Sequence, residues 1–163
     1  MTKTTRHYEE RVAISTTPEE VFAYVDDHTR FSSHMTKPSW MMGGGHMDVS
    51  VDAGRGQQVG SHIRLRGKAF GFPLFLDEVI TRHEPPRRKS WETVGAPKLL
   101  VVGKYRMDVE VVPQEGASGL RVAIDYDLPP TKTWLGKLFG QAYAKWCVRK
   151  ILNDARERFL SQS

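Results

Sequence analysis

The chain has 163 residues, the size of one domain, and at about 150 residues a domain buries roughly 70% of its unfolded surface, so no disulfide framework is needed. The lone Cys147 could not supply one, Met1 to Glu10 lack the apolar core of a secretory signal, and no apolar run approaches the roughly 18 residues of a membrane span, so a cytoplasmic protein is expected. A net charge of +5 would attract acidic partners, yet the basic runs Arg87-Arg88-Lys89 and Arg64, Arg66, Lys68 interleave no aromatics, and no nucleic-acid partner is expected.

Arg6 to Ser15 reads as a first strand, with Tyr8, Val12 and Ile14 partly alternating. Thr17 then offers a helix cap, Pro18 suits the first helical position, and Glu20 stands three residues after the cap as a capping box requires. Val21, Phe22, Tyr24 and Val25 form the apolar stripe of that helix, and Asp26 to His34 bends into a second short helix. After the glycine-rich Met41 to Gly45, a hinge at a pocket mouth, the period switches to two. Met47, Val49 and Val51 alternate with His46, Asp48 and Ser50; Val59, Ser61, Ile63 and Leu65 alternate with His62, Arg64, Arg66 and Lys68. Leu74 to His83 and Arg88 to Val94 follow, joined by the turn Glu84-Pro85-Pro86-Arg87. Leu99 to Val112 sets Tyr105, Met107, Val109 and Val111 against Lys104, Arg106, Asp108 and Glu110, and the last strand carries Leu120, Val122, Ile124 and Tyr126. The links are too short for crossover helices, so the strands form an antiparallel meander. Beyond Pro129 and Pro130, Thr131 or Thr133 caps a helix running to about Leu160.

That order resembles the START-related helix-grip superfamily, in its polyketide cyclase/dehydrase and lipid-transport branch. The resemblance rests on Thr16-Thr17-Pro18-Glu19-Glu20-Val21-Phe22 after the first strand, Gln58-Val59-Gly60-Ser61, Glu78-Val79-Ile80-Thr81 with Glu84-Pro85-Pro86-Arg87, and Asp127-Leu128-Pro129, and it covers the whole chain. It implies an α+β fold: a curved antiparallel sheet of about seven strands around a long C-terminal helix, with two short helices after strand 1, in one domain. Its members carry lipids, sense hormones or cyclise polyketides, so the resemblance alone does not choose a function.

The strand positions that face inward hold an adaptable set: Met47, Trp91, Tyr105, Met107, Ile124 and Tyr126, with Trp40, Met41 and Met42 at one end. Trp40, Met42, Met47, Val49, Ile63, Leu65, Trp91, Tyr105, Met107, Ile124, Tyr126, Gly140 and Ala144 are the candidate ligand-binding residues; the alternative is a core filled by the same side chains. On the long helix, at about 100° per residue, Val148, Ile151, Leu152, Ala155 and Phe159 share one face, while Leu135, Leu138, Phe139, Tyr143 and Trp146 share nearly the opposite one. Either Gly136, Gly140 and Ala144 turn toward the sheet and the bulky face meets a second chain or a membrane surface, or a kink at Gly136 or Gly140 restores one buried stripe.

The histidines match no metal-binding spacing, Cys147 is expected to be a buried inert thiol, and no cofactor or metal is expected. For catalysis, Tyr105 and Tyr126 are the candidates, as donors able to polarise a carbonyl, with no paired carboxylate or buried His–Asp couple behind them. The expected function is therefore to bind or carry a small apolar molecule, a lipid, polyketide or aromatic compound, in the hollow between sheet and helix. The alternatives are a polyketide cyclase or dehydratase, and an interaction module that meets a membrane or a second copy through the first half of the last helix.

Overall fold

Alternation along the chain becomes a seven-stranded antiparallel sheet in the computed structural model, which describes residues 5–27, 46–69, 72–98, 102–129 and 133–160. The elements are β1 (Arg6–Ile14), α1 (Pro18–Val25), β2 (His46–Val51), β3 (His62–Ala69), β4 (Phe72–Glu84), β5 (Arg88–Lys98), β6 (Tyr105–Gln114), β7 (Ala117–Tyr126) and α2 (Thr133–Leu160). Spatial order is β1-β7-β6-β5-β4-β3-β2, so the six later strands form a meander and β1 closes on the last of them. The second short helix and the glycine hinge expected between Asp26 and Gly45 lie outside the described residues from 28 onward.

Thr17 caps α1 as its sequence requires, its hydroxyl accepting the Glu20 amide at 3.3 Å. The Glu20 carboxylate takes a hydrogen bond from the Thr16 hydroxyl. Asp26 ends the helix, and its end is tied to the sheet: Lys89 Nζ reaches the Asp26 carboxylate at 2.9 Å and its carbonyl at 3.0 Å, and His83 Nε2 meets the same carboxylate at 2.9 Å. Lys89 is wholly buried, so the basic run Arg87-Arg88-Lys89 is divided between solvent and core: on β5 the alternation turns Lys89 and Trp91 to the same inner face.

Several strand limits differ from the expected ones, two of them by four residues or more. β5 runs on past Val94 to Lys98, because Gly95 takes a positive φ and a register shift lets Pro97, which has no N–H to give, pass along β4. β6, expected from Leu99, starts at Tyr105, with the described residues 102–104 outside any strand. The basic residues Arg64, Arg66, Lys68, Lys104 and Arg106 are exposed, as their strand phase predicts. Asp108 shares that outer phase but is buried under Arg88 and Arg121, at 3.0 and 2.6 Å.

The core lies between the inner sheet face and α2, and includes Ile63, Leu65, Ile80, Trp91, Val109, Leu120, Val122 and Ile124 against Ala144, Val148, Ile151, Leu152 and Ala155. Arg149 fixes the helix laterally with a two-point pair to Glu10 of β1, at 2.8 and 3.1 Å. The apolar stripe of α2 does change sides. Gly136, Gly140 and Ala144 are buried, while Trp134, Leu138 and Phe139 are 59%, 65% and 51% exposed. No helix among the described residues is long and apolar enough to cross a membrane.

Candidate functional site

On β4, Leu74, Leu76 and Ile80 point inward, and the period of two carries Glu78 inward with them. A carboxyl at this position is only 4% exposed and must be satisfied from inside the protein. It is: the Tyr105 hydroxyl donates to Glu78 Oε2 at 2.5 Å, and the Trp91 indole N–H donates to the same carboxyl. A single buried carboxyl, which the sequence reading did not single out, thus stands against Tyr105. A separate polar cluster, His83 and Asp26 with Lys89, lies at the end of α1.

The site sits where the sheet opens. Beyond Glu92 the β5–β6 ladder stops, and the Tyr105 amide bonds instead to the Thr93 side-chain oxygen at 3.2 Å. Tyr105 and Thr93 thus face Glu78 from two strands no longer held together by backbone bonds. From above, α2 contributes Tyr143 and Cys147, hydrogen-bonded to each other and close enough to sense the charge of Glu78.

Burial dominates the electrostatics. It pushes the Glu78 carboxyl up to about 7, against the hydrogen bonds from Tyr105 and Trp91 and the positive charge of Lys89, which favour the ionised form. Burial likewise holds the Tyr105 and Tyr143 hydroxyls well above their usual range and lifts the Cys147 thiol to about 12, so the thiol stays protonated and unreactive. Glu78 is thus the one member of this cluster poised to exchange a proton near neutral pH.

Of the candidate ligand residues, Ile63, Leu65, Trp91, Met107, Ile124, Tyr126 and Ala144 share one buried cluster, with Val49 and Tyr105 packed against it and Gly140 buried on the helix face above. Trp40 and Met42 lie outside the described residues, as does the side chain of Met47. Tyr126 is 2% exposed and stands opposite Tyr105 in the β6–β7 register. Two shallow grooves lie elsewhere, one on the outer face of β1, β6 and β7 around Arg11, Glu110 and Arg121, the other along the edge of β1 beside Arg149 and Asn153.

A profile of the protein family described as "Polyketide cyclase / dehydrase and lipid transport" matches residues 5–159. No curated protein sequence matches the chain significantly. Among solved structures, the fold is similar to norcoclaurine synthase from Thalictrum flavum, at 13% identity over 99% of this chain and 98% of that one, with a TM-score of 0.70. It is also similar to Ara h 8.0201, at 13% identity, 97% and 99% coverage and a TM-score of 0.68, and to protein CV1439 from Chromobacterium violaceum, at 13%, 94% and 97%, and 0.66. At such identities the likeness is one of fold.

Proposed function

The chain belongs to the polyketide cyclase/dehydrase and lipid transport family, and from that premise we propose that it holds a small, mostly apolar molecule between the inner sheet face and α2. One observation carries the reading. A helix placed for stability alone would bury its large side chains, each contributing roughly 1.5–3 kcal/mol, but α2 turns Gly136, Gly140 and Ala144 to the sheet and leaves Leu138 and Phe139 outside. On the inner face the polar pair Glu78 and Tyr105, near Tyr143 and Cys147 of α2, lies among apolar neighbours.

Filling the space is the direct test. If side chains already fill it, Gly140→Leu overpacks the core and costs about 1–3 kcal/mol. If a small molecule fills it, the variant keeps its melting temperature and loses the cargo. Native mass spectrometry of the gently purified protein should then show a releasable apolar mass in the wild type and none in Gly140→Leu. A destabilised variant and a bare wild type together would overturn the reading.

Catalysis of the cyclase or dehydratase kind is a second reading, favoured by the proton-exchanging Glu78 beside Tyr105. The outer face of α2 supports a further contact, with an acidic lipid surface: Trp134, Leu138 and Phe139 lie exposed together with Lys137 and Lys145 on a chain of net charge +5. Leu138→Glu with Phe139→Glu is expected to fold normally, because both side chains are already outside the core, and to lower binding to phosphatidylserine vesicles by about tenfold or more. Undiminished vesicle binding, or a loss of self-association instead, removes the lipid assignment.

A further inference from the structure

Resting on the ligand-holding reading above, we propose that Glu78 and Tyr105 recognise the polar end of the bound molecule, and that this end is a hydrogen-bond donor, a protonated amine or a hydroxyl.

The donors and acceptors around Glu78 set what this end can be. The Tyr105 O–H is spent on Glu78 Oε2 at 2.5 Å, the Trp91 N–H on the same carboxyl, and the Tyr143 O–H on the Cys147 sulfur. The cation among the described residues that acts on Glu78, Lys89, is bonded to the carboxylate and carbonyl of Asp26 at 2.9 and 3.0 Å. What remains is acceptor capacity. An ionised carboxylate offers about four lone-pair sites, of which two are taken here, and the Tyr105 oxygen keeps its own. With Glu78 ionised, a carbonyl or carboxylate on the ligand would find the strong donors of this cluster occupied, and a carboxylate would also meet the charge of Glu78. A ligand N–H or O–H would find lone pairs that burial has otherwise left without water, and filling them is worth more than the same bond made in solvent. The surrounding walls, Ile63, Leu76 and Met107, take the apolar remainder.

The two donors differ in their dependence on pH. Among the described residues, the groups that act on Glu78 are Tyr105 from β6, Lys89 and Trp91 from β5, Tyr143 and Cys147 from α2, and Asp77 beside it on β4; the hydroxyls and the thiol stay protonated near neutrality, burial lowers Lys89 while its ion pair with Asp26 opposes that shift, and Glu78 sets the response around 7. A protonated amine binds the ionised carboxylate as an ion pair, so its affinity rises with pH as Glu78 loses its proton around 7. A hydroxyl gains much less.

Four probes with one apolar skeleton separate the cases: naphthylmethylamine, naphthylmethanol, methylnaphthalene and naphthylacetate, titrated calorimetrically into the full chain from about pH 6 to about pH 8. The amine or the alcohol should bind about tenfold or more tightly than the hydrocarbon, and Glu78→Gln should remove that advantage while leaving the hydrocarbon unchanged. An amine preference that grows with pH assigns the cation; an alcohol preference that stays level assigns the hydroxyl. Tyr105→Phe takes away a hydrogen bond that favours ionised Glu78, so the midpoint of the amine's pH response should move upward, which a purely structural role would not produce. Equal binding of amine, alcohol and hydrocarbon, or a preference for naphthylacetate, overturns the donor assignment. Failure of all four to bind overturns the ligand-holding reading beneath it.

Discussion

Glu78→Gln is expected to change the pH dependence of stability by on the order of 3 kcal/mol between about pH 4.5 and about pH 8, with the variant gaining on the wild type as pH rises. Burial lifts the carboxyl from an ordinary 4.5 to about 7 in the folded chain. Between those values the folded state keeps a proton that the unfolded chain has released, so wild-type stability falls as pH rises through this window and stays lowered above it. Below the lower value both states are protonated and the penalty is absent. Glutamine matches the shape, still accepts from Tyr105 and carries no charge at any pH, so it removes the slope. Urea denaturation of both proteins at several pH values is sufficient, and parallel curves would mean that Glu78 is solvated after all.

Asp26→Ala should be the most damaging single change at the end of α1, costing about 3–5 kcal/mol, because it leaves the ammonium of Lys89 buried without its anion. The same carboxylate receives His83, so two sheet side chains lose their common partner. Removing both charges is gentler than removing one. Asp26→Ala with Lys89→Met should recover much of the loss, because a methionine in that place needs no counter-charge. If the double variant were no more stable than Asp26→Ala alone, helix docking would not depend on this pair.

The sequence made most of the sheet legible because a period of two is visible wherever aliphatic and charged residues alternate cleanly. Met107, Val109 and Val111 were placed inward and Arg64 and Arg66 outward on that ground, and the strands hold them so. The change of face along α2 was visible from helical spacing, although the spacing alone also allowed a kink. What escaped were the polar residues on inward positions. Leu74, Leu76 and Ile80 fix the phase of β4, and that phase assigns Glu78 to the inner face, but a glutamate in a strand reads as solvent-facing until its partners are known. Those partners are not local. Tyr105 lies 27 positions beyond Glu78 and Lys89 lies 63 beyond Asp26, and such meetings depend on strand register, which the chain does not spell out. Alternation within β5 carried the same information for Lys89, beside the correctly placed Trp91.

The placing of β1 bears on how the chain reaches this state. All neighbours from β2 to β7 are consecutive, so each can zip onto the one before it through a short turn. Among the described residues β1 has its only sheet partner in β7, and His7 pairs with Asp125, 118 positions further along. A contact that spans so much chain costs more loop-closure entropy than any hairpin, and it forms only once the rest of the sheet has drawn its two ends together. During synthesis, β1 leaves the ribosome first among the strands and waits longest for its place, an unpaired edge with Tyr8, Val12 and Ile14 along one side. Its Arg6, His7, Glu9, Glu10 and Arg11 then act as a solubilising guard against premature pairing with other chains until β7 arrives.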